Sequence, residues 1–241
     1  MNKLLLIIPF YNEQKRISII EFRNAFEISN DIHYLLVNDG SFDSTLSILK
    51  EFENQFKNVH VLNLLKNSGK AEAIREGINS QKQTTYDYVG YLDADFSTPI
   101  FEMVKLLEFA KRNPSFEIIM GSRIKLLGNT IIRSSSRHYL GRIFATIISK
   151  FILKIPVYDT QCGAKIIRMK TASRLFEKPF ITRWIFDVEI LLRFKNDDAK
   201  FLKVSEFPLS QWIEKGNTKI RLKEFVNFPF QLVKIYFHYV K

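Results

Sequence analysis

The 241 residues are 46% hydrophobic, enough for a sizeable core at a length that fits one α/β domain. A formal charge of +11 favours partners that carry phosphate, whether nucleotides, anionic lipid head groups or nucleic acid. The single cysteine, Cys162, excludes an internal disulfide and a cysteine-built zinc site, and no apolar run reaches the roughly 18 residues of a membrane-spanning helix.

In chain order, β-rich runs are predicted at Lys3–Ile8, His33–Asn38, Val59–Leu64, Tyr86–Leu92 and Phe116–Met120. Amphipathic helices are predicted between them at Ile17–Ile28, Ser44–Phe56, Lys70–Ser80 and Ile100–Lys111, with Ser44 and Pro99 as start signals. The apolar run Leu4–Ile8 leads straight into Pro9, Asn12 and Glu13, so it reads as a buried strand and not as the core of a signal peptide. Alternating strands and helices imply an α/β, Rossmann-like domain with a mainly parallel sheet, helices on both faces and ligands beyond the carboxyl ends of the strands.

The second half is less regular. From Arg123 to Tyr158 the chain holds Arg123, Lys125, Arg133, Arg137, Arg142, Lys150 and Lys154 and no acidic residue, while Tyr139–Val157 is densely apolar. The expectation is a basic amphipathic helix with Phe144, Ile147, Ile148, Phe151 and Ile152 on one side, suited to anionic lipid, against the plainer reading of a core helix with a solvated basic edge. A strand at Ala164–Arg168, a helix at Ile185–Phe194 and a strand at Lys200–Phe207 come next. The closing helix, Leu222–Tyr239, carries Phe225, Phe228, Phe230, Tyr236 and Phe237, a stripe suited to core packing, to a second copy of the chain or to membrane. No repeat or Pro/Gly linker divides the chain, so one domain is expected.

The strongest chemical signal is Tyr91-Leu92-Asp93-Ala94-Asp95. Two carboxylates spaced i, i+2 at the end of a buried strand can converge on one hard cation, Mg²⁺ or Mn²⁺, that bridges a diphosphate. The alternative is that one carboxylate caps the helix after Pro99 and the other is solvated. Three other strand ends are equally polar: Pro9-Phe10-Tyr11-Asn12-Glu13, Asn38-Asp39-Gly40-Ser41 with Asp43, and Lys66-Asn67-Ser68-Gly69-Lys70. They offer acceptors for a base, a ribose or sugar hydroxyls in Asp39 and Glu13, and a cation for phosphate in Lys70, although ordinary turn chemistry uses the same residues. Gly69-Lys70 lacks both the upstream glycine and the following Ser or Thr of a P-loop, and no nucleic-acid recognition module is present.

These motifs resemble the family 2 glycosyltransferases of the GT-A fold, and within them the polyprenyl-phosphate (dolichyl-phosphate-type) hexosyltransferases. Gly121-Ser122-Arg123, Asp159-Thr160-Gln161-Cys162-Gly163-Ala164-Lys165, Trp184 with Phe186-Asp187-Val188-Glu189, and Trp212 with Gly216-Asn217-Thr218-Lys219 carry the narrower likeness. The resemblance implies an inverting transfer of a hexose, glucose by nearest likeness, from a nucleoside-diphosphate sugar, with a UDP-sugar favoured. Pro9, Tyr11, Glu13, Asp39, Lys70 and Gln161 would bind the donor, Asp93 and Asp95 the metal and diphosphate, and Arg123 with Arg133 or Arg137 the acceptor phosphate. Residues 1–122 would then form the nucleotide-sugar half, 123–221 the acceptor half and 222–241 an amphipathic helix. The enzyme would work at the inner, cytoplasmic face of a membrane as a peripheral protein, with a homodimer as one option for its assembly.

Phe96, where Gly or Gln is expected, and Ala71-Glu72, where a Gly-rich continuation is expected, depart from the family pattern in a region expected to shape the donor pocket. Two rival readings differ in chemistry. With an oligosaccharide hydroxyl as acceptor, Asp187 becomes the general base, because that reaction needs a proton removed. A non-catalytic nucleotide-sugar-binding subunit would keep Asp39 and Glu13 and have no use for Asp93 and Asp95 together.

Overall fold

A computed structural model describes residues 3–81, 85–197, 203–215 and 222–241, excepting the side chains of 136, 137, 196, 197 and 222–227. Four strands and four helices alternate first: β1 (Leu4–Phe10), α1 (Ile19–Glu27), β2 (Ile32–Asp39), α2 (Thr45–Gln55), β3 (Val59–Leu64), α3 (Lys70–Asn79), β4 (Tyr88–Tyr91) and α4 (Ile100–Arg112). The chain continues through β5 (Ile118–Ser122), β6 (Thr130–Ile132), α5 (Ser135–Ile147), β7 (Lys165–Arg168), α6 (Met169–Leu175), α7 (Phe186–Asp197), β8 (Val204–Pro208), β9 (Gln211–Ile213) and α8 (Leu222–Ile235).

The main sheet runs β3-β2-β1-β4-β7-β5-β8 and takes strands from both sides of residue 122, while β6 and β9 pair in a separate two-stranded sheet. It is parallel except for β7, which pairs antiparallel with both neighbours. Its central strands are buried on both faces, and alternate residues feed two cores. Leu5, Ile7, Leu35, Val37, Val89 and Tyr91 face α3, α6 and α7, while Leu4, Leu6, Ile8, Phe10, Tyr34 and Leu36 face α1, α2 and α4. From β1 the chain moves outward through β2 and β3, then returns to place β4 on the other side of β1. That reversal opens a crevice between the ends of β1 and β4.

α2 starts where expected, with Ser44 at its N-cap, but the capping bond comes from the residue before it. The Thr45 N–H is accepted by Asp43 Oδ1 at 3.0 Å, and Ser44 makes no side-chain cap bond.

The basic helix also forms with a different face. α5 passes into a π-helical turn over Ile148–Leu153, and the wider turn rotates the side chains beyond it. Ile148, Ile152 and Leu153 enter the core, and Phe144 packs on Phe228 of α8 with ring centroids 4.2 Å apart. The apolar residues left in solvent are Tyr139, Leu140, Ile143, Ile147 and Phe151, joined by Phe230, Val233 and Phe237 near the C-terminus. Of the basic residues, Lys150 and Lys154 are exposed, whereas Arg142 stacks over the Tyr158 ring at 3.7 Å. No helix among the described residues is long and apolar enough to cross a membrane.

Candidate active site

The reversal of strand order and the antiparallel entry of β7 build the site. β7 pairs Lys165 with Tyr91 in antiparallel register, so Gly163, two residues before Lys165, meets Asp93, two residues after Tyr91. A Cβ on Gly163 would lie 2.1 Å from Asp93 Oδ2, so only glycine lets this loop close on the carboxylate. On the other side, Gly121 N–H donates to Ala164 O at 2.8 Å, which brings Arg123 beside the 159–163 loop.

Asp93 and Asp95, the pair expected to hold a metal, are both faced by cations. Lys70, the first residue of α3, hydrogen-bonds through its ammonium to Asp93 Oδ1. Loss of solvent opposes ionisation of Asp93, but Lys70 and then Arg123 and Lys165 outweigh it and hold the carboxyl below its ordinary range. Burial likewise opposes the Lys70 ammonium, and Asp93, Asp187 and Asp95 reverse that and raise its pKa. Asp95 accepts the Ser97 N–H at 2.9 Å through Oδ1, and its Oδ2 lies 3.5 Å from Arg16, which also reaches Glu13 at 3.3 Å. Arg16, which the sequence did not single out because nothing local distinguishes it from any loop cation, joins Glu13 and Asp95 at the crevice.

Among the described residues no three His, Cys, Asp or Glu side chains gather as a metal site. Two partly solvated carboxylates at a crevice nonetheless suit a hard cation that takes its remaining ligands from a diphosphate and water. The cations now on both carboxylates mark the place as one where positive charge is stabilised.

The residues expected to border the nucleotide fall on the same edge. Pro9, the penultimate residue of β1, lies opposite Val37, and Tyr11 meets the exposed Phe42 edge-to-face at 6.1 Å. The Glu13 N–H donates to Thr45 Oγ1 at 2.8 Å. Asp39, expected to accept from a base or ribose, is buried and takes the N–H groups of Ser68 and Gly69 at 2.8 Å and the Asn67 amide at 3.0 Å. Its carboxylate thus braces the loop that delivers Lys70. Gly40 permits the approach, with φ +66° and a hypothetical Cβ 2.5 Å from Asn67 N.

Phe96 does not line the crevice. It adopts φ +49° and turns its ring into the core, 4.4 Å from Phe22. The residue that departs from the family pattern is an anchor for the loop behind Asp95.

Arg123 forms a two-pronged ion pair with Asp159, Nε to Oδ2 at 2.6 Å and Nη2 to Oδ1 at 2.8 Å, and lies 5.3 Å from the Trp212 ring centre. Among the described residues no hydrogen bond engages its Nη1. Burial alone would raise the Asp159 carboxyl, but the guanidinium carries it down to about 2. Glu206 accepts the N–H groups of Tyr158 and Asp159 at 2.8 Å each, and Gln161 adds its own N–H to Asp159 Oδ1 at 3.1 Å. Arg133 packs its guanidinium against Gly141 of α5, while the Arg137 side chain and the 216–219 motif lie outside the described residues.

Asp187 and Glu189, in the first turn of α7, are buried. Glu189 accepts the N–H groups of Ile181 at 3.0 Å and Thr182 at 2.8 Å and the hydroxyl of Tyr239 at 3.2 Å, a structural clamp. Asp187 Oδ1 accepts the Tyr91 hydroxyl at 2.6 Å and pairs with Lys165 Nζ at 2.8 Å. Lys165 also donates to the carbonyls of Thr160 at 3.0 Å and Cys162 at 2.6 Å, tying the 159–163 loop to α7. Burial raises the Cys162 thiol pKa, which leaves it a small packing residue.

Comparison with known proteins places this geometry. The model of glycosyl transferase family 2 matches residues 5–176. A dolichyl-phosphate beta-glucosyltransferase of Drosophila melanogaster is 31% identical over 234 residues, covering 90% of this chain and 69% of that protein. The Homo sapiens protein of the same description is 30% identical over 233 residues, with the same coverage. Among solved structures, glucosyl-3-phosphoglycerate synthase from Mycobacterium tuberculosis, in complex with Mn²⁺, UDP and glucosyl-3-phosphoglycerate, aligns with a TM-score of 0.72. It is 13% identical and covers 97% of this chain and 78% of that one, a likeness of fold. With its sheet reversal, its paired aspartates and these matches, the chain belongs to the family 2 glycosyltransferases and has their GT-A fold.

Proposed function

We propose that this chain transfers a hexose, glucose in the first instance, from a UDP-sugar to a polyprenyl phosphate at a membrane surface, using Mg²⁺ or Mn²⁺. The observation that carries the choice of acceptor is the engagement of Asp187. A hydroxyl acceptor requires a base to take its proton, whereas a phosphate monoester is already ionised at neutral pH. Asp187 Oδ1 is buried and already accepts from the Lys165 ammonium at 2.8 Å and the Tyr91 phenol at 2.6 Å, contacts that commit it to holding the 159–163 loop and β4 to α7 and not to an acceptor hydroxyl. The relatives described as dolichyl-phosphate beta-glucosyltransferases support the same acceptor class, and the UDP and Mn²⁺ bound to the fold neighbour support the donor and the metal.

In this reading Asp93 and Asp95 would hold the divalent cation, which would supply positive charge to the diphosphate leaving group. Lys70 binds phosphate, and Asp39 keeps Lys70 in place through the 67–69 loop. Tyr11, Glu13 and Pro9 border the nucleotide, and Gln161 lies beside the sugar. Arg123, oriented by Asp159, presents Nη1 to the acceptor phosphate, with Arg133 or Arg137 as its second cation. The acceptor oxygen attacks the anomeric carbon from the face opposite the leaving diphosphate. The exposed stripe of Leu140, Ile143, Ile147 and Phe151, with Lys150 and Lys154 nearby, supports peripheral contact with anionic lipid.

The test compares kcat/KM for label from UDP-glucose with polyprenyl phosphate, the matching polyprenol and free saccharides as acceptors. Transfer to the phosphate alone supports the reading. Transfer to the alcohol or to saccharides overturns it.

A further inference from the structure

Each carboxylate of the Asp93-Ala94-Asp95 motif is paired with a protein cation: Lys70 on Asp93, Arg16 on Asp95. We infer that Lys70 and Arg16 are resident counter-ions that close the metal site, so that a divalent cation enters only as the donor diphosphate draws Lys70 away. The inference rests on the metal role of Asp93 and Asp95 proposed above and adds an order to the binding.

The argument is one of charge. Among the described residues the site offers a divalent ion two carboxylates and no third acidic or imidazole ligand. One oxygen of each is engaged, Oδ1 of Asp93 by the ammonium and Oδ1 of Asp95 by the Ser97 N–H, while the Arg16 guanidinium lies 3.5 Å from Asp95 Oδ2. A divalent ion cannot share Asp93 with an ammonium a few ångströms away without strong repulsion, so the side-chain cations must withdraw. Their alternatives differ. Arg16 already reaches Glu13 at 3.3 Å and can retire onto it. Among the described residues Lys70 has no second ion pair, so its replacement partner must arrive with the ligand. A diphosphate is that partner, because it offers anionic oxygens to the ammonium while supplying the ligands that the metal lacks. Metal and nucleotide then bind with a coupling that includes the release of Lys70, and the coupling is reciprocal.

The test reads Mn²⁺ binding to the purified full chain by electron paramagnetic resonance of the free ion, with and without UDP, for wild type, Lys70→Met and Arg16→Gln. Lys70→Met is expected to bind Mn²⁺ alone about tenfold more tightly than wild type, within the ordinary range of site coupling. The factor by which UDP improves Mn²⁺ affinity is expected to shrink correspondingly. Arg16→Gln is expected to move nucleotide-free affinity the same way by a smaller factor, and it decides the matter if circular dichroism shows Lys70→Met misfolded. Unchanged or weakened nucleotide-free Mn²⁺ affinity in the folded variants overturns the inference while leaving the proposed function standing. A wild-type chain that binds no Mn²⁺ even with UDP overturns both.

Discussion

Asp159→Asn removes one half of an enclosed ion pair, whose side chains are only 12% (Arg123) and 10% (Asp159) exposed. Three of the wild-type carboxylate's contacts go to Arg123, through the backbone N–H at 3.1 Å, Nε at 2.6 Å and Nη2 at 2.8 Å. The depression of the carboxyl from 3.8 to about 2 corresponds to ~2 kcal/mol of stabilisation at neutral pH. Leaving a buried guanidinium without its partner adds to this, so a loss of about 3 kcal/mol is expected, near the lower end for a broken buried pair. The sign of the pH dependence comes from the direction of the shift. The folded-state value lies below the unfolded one, so the contribution is complete well above pH 4 and is lost as pH falls through about 2. Urea unfolding of wild type and Asp159→Asn should therefore differ by about 3 kcal/mol at pH 7, and the gap should narrow by about 1 kcal/mol at pH 3. A gap under about 1 kcal/mol at pH 7, or one indifferent to acid, would refute this account of the 159–163 loop.

Three further outcomes are expected. Gly163→Ala forces Asp93 or the loop to move, since its Cβ would sit 2.1 Å from the carboxylate, and kcat/KM should fall about a hundredfold, as for an ångström-scale displacement at a reacting centre. Phe96→Ala empties a buried ring position against Phe22 and should cost about 3 kcal/mol in thermal or urea unfolding, while the preference among donor sugars stays as in wild type. Ile143→Asp with Phe151→Asp places two carboxylates on the exposed stripe. Sedimentation with vesicles containing anionic lipid should show at least a tenfold loss of binding, since each apolar side chain is worth about 1.5–3 kcal/mol when buried.

The first half of the fold was legible because its strands are buried on both faces and so read as continuous apolar runs between amphipathic helices. The second half was less so, for identifiable reasons. β6 and β9 have only three residues each, too few for a period to show, and α6 spans barely two turns. The antiparallel direction of β7 depends on the route by which the chain returns to the sheet, which Ala164–Arg168 does not encode. A regular helical wheel put Ile148 and Ile152 on the lipid-facing side, and the π turn moved them inward. The polar strand ends at Glu13, Asp39, Lys70 and Asp93–Asp95 were visible as motifs, and their convergence is a consequence of the sheet order. What the motifs could not show is partnership: Asp39 with the 67–69 backbone, Asp159 with Arg123 across 36 positions, and Asp187 with Tyr91 across 96. These pairings are set by the packed fold and leave no local trace.

The most direct measurement is the mass of the organic-soluble product formed when the purified chain is given Mn²⁺, a polyprenyl phosphate and, in separate reactions, UDP- and GDP-sugars. The account predicts a polyprenyl monophosphate bearing one hexose, formed from a UDP-sugar and absent with Asp95→Asn. No lipid-linked hexose from any donor, or a hexose joined to the lipid through a diphosphate, would contradict it.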